Sequence, residues 1–382
     1  MNSAPFRILV LGGTGVFGQR ICQRLAREPA VSILLAGRSA VKAQAMARKL
    51  GGEHPAAEVE GIGLEGLSGS LARVLGERSL DLVIHAAGPY QGQDYGVAEC
   101  CIAHGVHYLD LADGRDFVCG FARLDQAARA AGVVAVTGVS SVPGLSSAIV
   151  DHLAAGLAAI ESIAVGISPG SRAPLGRGAI AGILSYGGQP IAQWRDGRWQ
   201  RTVGLQDLQR WHFHAPGAPP IGARLLAACD VPDLSLFPTR YAPVKTVSFH
   251  AGMELTSLML CLWSLSWLVR LGLLASLAPL AALADAFSRP LRALGGDRGA
   301  MYVEIVATTA DGQRERRVWT LIAERNHGPF VPCLPVVILT RQLARGGLAA
   351  GARPCLGLFA LADFAESAED LAISSAWETF DA

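Results

Sequence analysis

Gly12-Gly13-Thr14-Gly15-Val16-Phe17-Gly18 is the most informative run of chemistry-bearing residues in this chain, and its chemistry belongs to the backbone. Glycines at that spacing allow a tight turn, let main-chain N–H groups approach a phosphate, and let a following helix pack closely on the preceding strand. The run follows Arg7–Leu11, a β-branched and leucine stretch that reads as a strand buried on both faces. It opens into a helical pattern that ends near Arg27, before Pro29. A helix N-terminus there supplies free N–H groups and partial positive charge for a pyrophosphate. A second strand, Val31–Ala36, runs into Gly37-Arg38-Ser39. An NAD-specific fold places a carboxylate at this point for the ribose 2′-hydroxyl, whereas Arg38, with Ser39 beside it, is suited to a 2′-phosphate. The expected cofactor is therefore NADP(H).

Hydride transfer also needs a proton donor near the nicotinamide. Ala86-Ala87-Gly88-Pro89 follows the strand Leu80–His85 with small side chains, so its backbone can pass close to the nicotinamide ribose and pyrophosphate. Tyr90, Asp113, His85 or a water are the candidate donors, with Tyr90 and Asp113 placed at the ligand edge. Ser140 and Ser141 could orient a substrate carbonyl. Lysine occurs only at Lys42, Lys49 and Lys245, so with none between Lys49 and Lys245 the dinucleotide-binding segment offers no Tyr-x-x-x-Lys pair, and arginine is the main reader of anions.

These residues require an alternating βα scaffold: a helix over Tyr95–His104, a strand Tyr108–Leu111, a helix Phe117–Ala131 and a strand Val133–Thr137. The 382 residues suffice for two or three domains, and 51% hydrophobic against 17% charged residues provides ample cores. A net charge of +1 excludes strong attraction to nucleic acid. The eight cysteines lack metal-ligand spacing, and no metal is expected. Met1–Pro5 has no basic flank and Ile8–Leu11 is too short for a signal peptide, so a reduced, cytoplasmic protein is expected.

With those segments in place, the chain resembles the saccharopine dehydrogenase-like oxidoreductases. The likeness is carried by the glycine run, Ala36-Gly-Arg-Ser39, Ala87-Gly-Pro-Tyr90, His107-Tyr-Leu-Asp110 and Ser141-Val-Pro-Gly144. It is strong over the first 150 residues and fainter around Trp194–Trp199 and Gly346–Phe364. The resemblance implies an NADP-binding Rossmann domain, an inserted α+β domain that helps form the substrate pocket and often a dimer, and a C-terminal return to the first domain. The expected domains are 1–150, completed by 330–382, and 151–329. Two departures stand out. Val142 occupies the place of an aspartate near the amino-acid substrate in saccharopine-forming enzymes, and Glu58–Leu64 lacks the aspartate that relatives often place near the adenine. An apolar or partly apolar carbonyl, imine or enoyl substrate fits Val142 at least as well as saccharopine.

From Ser162 the pattern turns to short strands at Ile163–Ile167, Val244–Ala251, Met301–Thr308 and Arg317–Ala323, with hairpin dipeptides Asp196-Gly197 and Asp311-Gly312. A mostly antiparallel sheet with helices on one face is expected. His212 and His214 alternate on one strand face without a third ligand. His250 and Glu254 come within reach of each other if a helix begins near Met253. Leu255–Ala284 is nearly all apolar but is split by Arg270 into two runs too short to span a bilayer singly. It reads as a core or dimer-interface helix pair, a peripheral lipid contact, or a span, with Trp263 and Trp267 on one helical face. The function expected is NADP(H)-dependent hydride transfer to a small or lipid-like molecule by a homodimer. The alternative is a non-catalytic NADP(H)-binding protein, dimeric or membrane-associated.

Overall fold

In the computed structural model of the chain, residues 5–28, 30–64 and 68–381 are described. Pro29, expected just beyond the first helix, lies outside them, as do Met1–Ala4. The chain divides into two compact units, one of residues 1–145 and 330–359, the other of 146–329 and 360–382.

The first unit alternates strand and helix: β1 (Phe6–Leu11), α1 (Val16–Leu25), β2 (Val31–Gly37), α2 (Ala40–Glu53), β3 (Glu58–Gly63) and α3 (Ser68–Glu77). There follow β4 (Leu82–His85), α4 (Gly96–Ala103), β5 (His107–Asp110), α5 (Arg115–Gly120), α6 (Asp125–Ala130) and β6 (Val134–Thr137). A helix at Leu334–Ala344 and a strand at Gly351–Pro354 complete it. The seven strands are all parallel, in the order β3-β2-β1-β4-β5-β6 and then Gly351–Pro354. Ile8–Leu11 and Leu82–His85 are buried, as strands covered on both faces must be. The chain order reverses between β1 and β4, and ligands of doubly wound sheets bind at the carboxyl ends of strands at such a switch point. The stretch expected as one helix over Phe117–Ala131 is broken into α5, a 3₁₀ turn at Phe121–Leu124, and α6.

The second unit begins with α7 (Ser146–Leu153), β7 (Leu157–Ser168), α8 (Arg177–Tyr186), and the hairpin β8 (Pro190–Arg195) and β9 (Arg198–Val203). It continues through β10 (Gln209–Phe213), β11 (Ile221–Ala228), α9 (Asp233–Arg240), β12 (Thr246–Met253) and α10 (Thr256–Arg270). The helix α11 (Ala281–Leu291) and strands β13 (Gly299–Thr309) and β14 (Arg314–Ala323) follow, with a last strand at Ile373–Asp381. Its main sheet runs β10-β11-β12-β7-β13-β14 and then Ile373–Asp381, antiparallel throughout except for the parallel pair β12–β7. Both residues of the β8–β9 turn, Asp196 and Gly197, have positive φ (54° and 72°), as a type I′ hairpin turn demands.

Two sequence expectations are corrected here. The C-terminal stretch does not return whole to the first unit, because Ile373–Asp381 extends the second sheet along β14. His250 and Glu254 do not pair, because the chain is still in strand β12 through Met253. Instead His250 Nε2 faces Asp207 at 3.5 Å, while Glu254 accepts from the N–H groups of Ser171 (2.7 Å) and Gly296 (2.8 Å) and from Arg224 (3.2 Å).

Candidate dinucleotide site

The glycine run forms the turn between β1 and α1, at the sheet's switch point. Gly12 has φ +76°, and a Cβ there would lie 2.9 Å from the Ala86 carbonyl oxygen, so the turn rests against the backbone that follows β4. A Cβ on Gly18 would lie 2.2 Å from the Gly12 oxygen, which lets the first turn of α1 close tightly on the loop. The N–H of Gly13 donates to Ala36 O (2.9 Å) and that of Gly15 to Gly12 O (2.8 Å), fixing the turn's shape. Gly15 is the N-cap of α1 and gives it no side-chain cap, so the helix presents uncapped N–H groups at its positive end. Gly13 and Gly18 are buried, Gly15 is exposed, and Thr14, Val16 and Phe17 are half-buried.

β2 delivers the second half of the site. The missing Cβ of Gly37 admits the Thr14 hydroxyl, which brings the glycine turn beside the end of β2. Arg38 is exposed, and half-buried Ser39 caps α2 by accepting from the Lys42 N–H at 3.4 Å. Lys42, also exposed, is a second cation one helical turn from Ser39. It was not singled out from the sequence, although Arg-Ser followed three residues on by Lys at a capped helix start is a legible anion signal.

After β4, Ala86 and Ala87 are half-buried and Gly88 and Pro89 exposed. Gln93 Nε2 ties this segment by donating to Ala87 O (3.1 Å) and Pro89 O (2.5 Å). The two candidate acids part company here. Tyr90 is turned inward and buried, its hydroxyl donating to His85 O at 2.6 Å and its ring packed on His85 and Phe117. Burial and the nearby Asp110 hold that phenol well above its ordinary range, so Tyr90 is a packing residue here. Asp113 is half-buried, accepts from Gln91 Nε2 at 3.2 Å, and has its carboxyl raised by burial, which keeps a proton on it longer. His85 is buried with Nδ1 3.1 Å from the Tyr108 hydroxyl, and burial lowers it to about 4, so it is neutral.

Asp110, quoted from the sequence only as part of a motif, organises the loops beyond β5 and β6. Fully buried, its Oδ1 accepts from Ala112 N–H (2.8 Å), Thr137 Oγ1 (2.9 Å) and Gly138 N–H (2.9 Å). Burial nevertheless lifts this carboxyl to about 6, against the pull of those donors. Ser140 is buried and Ser141 half-buried, and Val142 is buried in an extended conformation. Among the described residues no group of three or more His, Cys, Asp or Glu side chains could hold a metal ion.

An all-parallel sheet with a glycine turn at its switch point and an uncapped helix start defines a Rossmann-type dinucleotide-binding unit. Residues 8–136 match the family model described as the saccharopine dehydrogenase NADP binding domain. Over the whole fold the chain is similar to apo saccharopine dehydrogenase (L-Glu forming) from Saccharomyces cerevisiae, with TM-score 0.66, 15% identity, and coverage of 97% of this chain and 99% of that one. Weaker likenesses include a dehydrogenase from Chromobacterium violaceum (TM-score 0.40, 12% identity, 85% and 76% covered). Another is the 3-ketoreductase KijD10 from Actinomadura kijaniata in complex with NADP (TM-score 0.39, 15% identity, 90% of each chain). No curated protein matches the chain.

Proposed function

We propose that this protein is an NADP(H)-dependent oxidoreductase of the saccharopine dehydrogenase-like type, acting on a carbonyl, imine or enoyl substrate. The observation that carries this reading is the Gly12–Gly18 turn, whose backbone leaves no room for a Cβ at Gly12 or Gly18 and whose helix start is uncapped, beside the exposed cations Arg38 and Lys42. In this assignment the uncapped N–H groups in the first turn of α1, from Val16 to Gly18, hold the pyrophosphate that the glycine turn lets approach, and Arg38 with Ser39 holds the 2′-phosphate. The backbone of Ala86–Pro89 lies along the nicotinamide ribose. The nicotinamide, when bound, supplies or accepts the hydride. Asp113 supplies the accompanying proton to the substrate heteroatom, or to the neighbouring carbon of an enoyl group, and its raised pKa favours the protonated form needed for that step. Buried Val142, where a carboxylate would meet an amino-acid substrate, favours an apolar substrate over saccharopine.

One observation favours a second reading, a non-catalytic NADP(H)-binding protein: the Tyr90 hydroxyl is already committed to His85 O, which leaves a single side-chain acid, Asp113, among the candidates. Thermal shift or tryptophan fluorescence with NADPH and NADH, followed by a screen for NADPH consumption, separates the two. The expected outcome is stronger stabilisation by NADPH and turnover of one class among imines, keto acids, enoyl thioesters and aldehydes. NADPH binding with no turnover on any of them gives the binding protein, and equal stabilisation by the two cofactors removes the role of Arg38.

A further inference from the structure

Of the eleven large hydrophobic side chains exposed among the described residues, seven lie between Leu260 and Leu294 of the second unit. Scattered exposed leucines are ordinary, but such a concentration marks an interaction surface. The inner side of this region is already satisfied. Ala281 and Ala284 of α11, with Leu262 and Leu265 of α10, pack on Ile180, Leu184, Val269 and Leu277. The outward side chains are therefore surplus to the core: Leu271, Leu273 and Leu274 in the segment after α10, and Leu283, Phe287 and Leu294 on and beyond α11. Leu283 and Phe287 stand one turn apart, on one face of a helix whose other face is docked, and Phe287 is 68% exposed.

The charge around this surface has one sign. From Leu255 to Gly296 the chain has Arg270, Arg289 and Arg292 against the single acid Asp285, a net charge of 3 − 1 = +2. Asp285 is buried and held by Arg289 (2.8 Å), Arg292 (3.4 Å) and Arg177 of α8 (3.5 Å), so cations outnumber it at its own site. The outer ones, Arg177 and Arg289, keep 71% and 60% of their side chains exposed. Arg270 is exposed with its guanidinium 4.7 Å from the centroid of the Trp267 ring, and Trp263 packs edge-on to Trp267 at 5.9 Å. Exposed leucines and phenylalanine with half-buried tryptophans and basic residues match an anionic bilayer interface. They do not match a second copy of the same face. A two-fold contact sets a patch against itself, and here that opposes arginine to arginine with no free carboxylate to answer it.

We propose that this face, formed by the segment 271–275 and the outer side of α11, docks on the surface of a membrane containing anionic lipid. It lies in the second unit and does not depend on the nucleotide reading. The full chain is tested by flotation with phosphatidylcholine vesicles and with vesicles of phosphatidylcholine mixed with phosphatidylglycerol. The expected result is co-flotation with the mixed vesicles, weakened by raised salt, and little with neutral ones. Leu273→Ser combined with Leu274→Ser, and separately Phe287→Ser, should each lower partitioning, the double variant by about tenfold or more. Circular dichroism melts that match the parent confirm that both remain folded, and either variant alone is sufficient. No flotation with either vesicle, or equal flotation with both, overturns the proposal. So does a parent dimer that these substitutions convert to monomer while the parent ignores vesicles.

Discussion

Arg38 stands exposed at the end of β2, beside the N-cap Ser39 and within a helical turn of Lys42. A charge-assisted contact to a phosphate is worth about 1.5–3 kcal/mol, so Arg38→Ala should weaken NADPH binding by roughly ten- to a hundredfold. NADH affinity should barely change, as read by fluorescence titration. Equal losses for both cofactors would mean that Arg38 shapes the turn without reading the phosphate. The acid role proposed for Asp113 carries a protonation requirement of its own. As an acid it acts only while protonated, so the rate in the reducing direction should fall as pH rises through its raised pKa. Asp113→Asn should lower kcat and remove that limb in a pH–rate profile measured with the screened substrate. The position of Arg38 was legible because a residue following a strand in this motif has a fixed place; its role was not tested by position alone. Tyr90 was not, since sequence position puts it at the ligand edge but only its rotamer turns the hydroxyl back to His85 O.

At the scale of elements, the glycine turn makes the sharpest demand on sequence. Gly18→Ala places a methyl 2.2 Å from the Gly12 oxygen, a backbone atom that cannot swing aside as a side-chain end would. The turn and helix must separate, and overpacking of this kind costs roughly 1–3 kcal/mol. The expected outcome is a lower Tm together with NADPH affinity reduced well beyond what the stability loss explains. An unchanged affinity would mean that the pyrophosphate does not sit on this helix start. Buried strands such as β1 and β4 could be read from composition alone, because both faces of a parallel sheet require apolar side chains. The second sheet was legible in its antiparallel hairpins, where turn dipeptides fix the pairing. The parallel pair β12–β7 was not, because it joins strands 84 residues apart (Thr246 opposite Ser162) and no local signal specifies the partner. The apolar stretch Leu255–Ala284 shows how far periodicity reaches. Its helix α10 ends at Arg270 after 15 residues, about 22 Å at 1.5 Å per residue, short of the roughly 30 Å of a bilayer's hydrocarbon. No helix of the described residues is long and apolar enough to cross a membrane, which removes the spanning reading for this stretch.

For the whole molecule, each unit encloses a fully buried carboxyl that burial lifts far above its ordinary range: Asp110 in the first, lifted to about 6, and Asp233 in the second, lifted to about 7 with the Ser146 hydroxyl pulling the other way. Both are at most 1% exposed. In the unfolded chain these groups titrate near about 3.9, so between that pH and the native values the folded protein binds more protons than the unfolded one. Stability contributed this way is fully present in acid and is lost as pH rises through about 6 and about 7. At about 1.4 kcal/mol per pKa unit, Asp110 accounts for about 3 kcal/mol and Asp233 for about 4 kcal/mol over the whole interval. His85 works in the opposite sense. Lowered to about 4, it is buried neutral, and its contribution is lost as pH falls below its unfolded value near about 6.5. The two slopes overlap in the parent protein, so the readable quantity is the difference between variant and parent at each pH. Asp233→Asn keeps the volume and removes the titration. Asp110→Asn does the same and leaves an oxygen to accept from Ala112, Thr137 and Gly138. Urea unfolding at about pH 5 and about pH 8 should show either variant gaining on the parent across that interval, by about 1 kcal/mol for Asp110→Asn and about 3 kcal/mol for Asp233→Asn, with the His85 slope cancelling in the difference. A variant that tracks the parent at both pH values would place that carboxyl in contact with water, and the loops that Asp110 ties would then be held by a charge and not by a neutral acid.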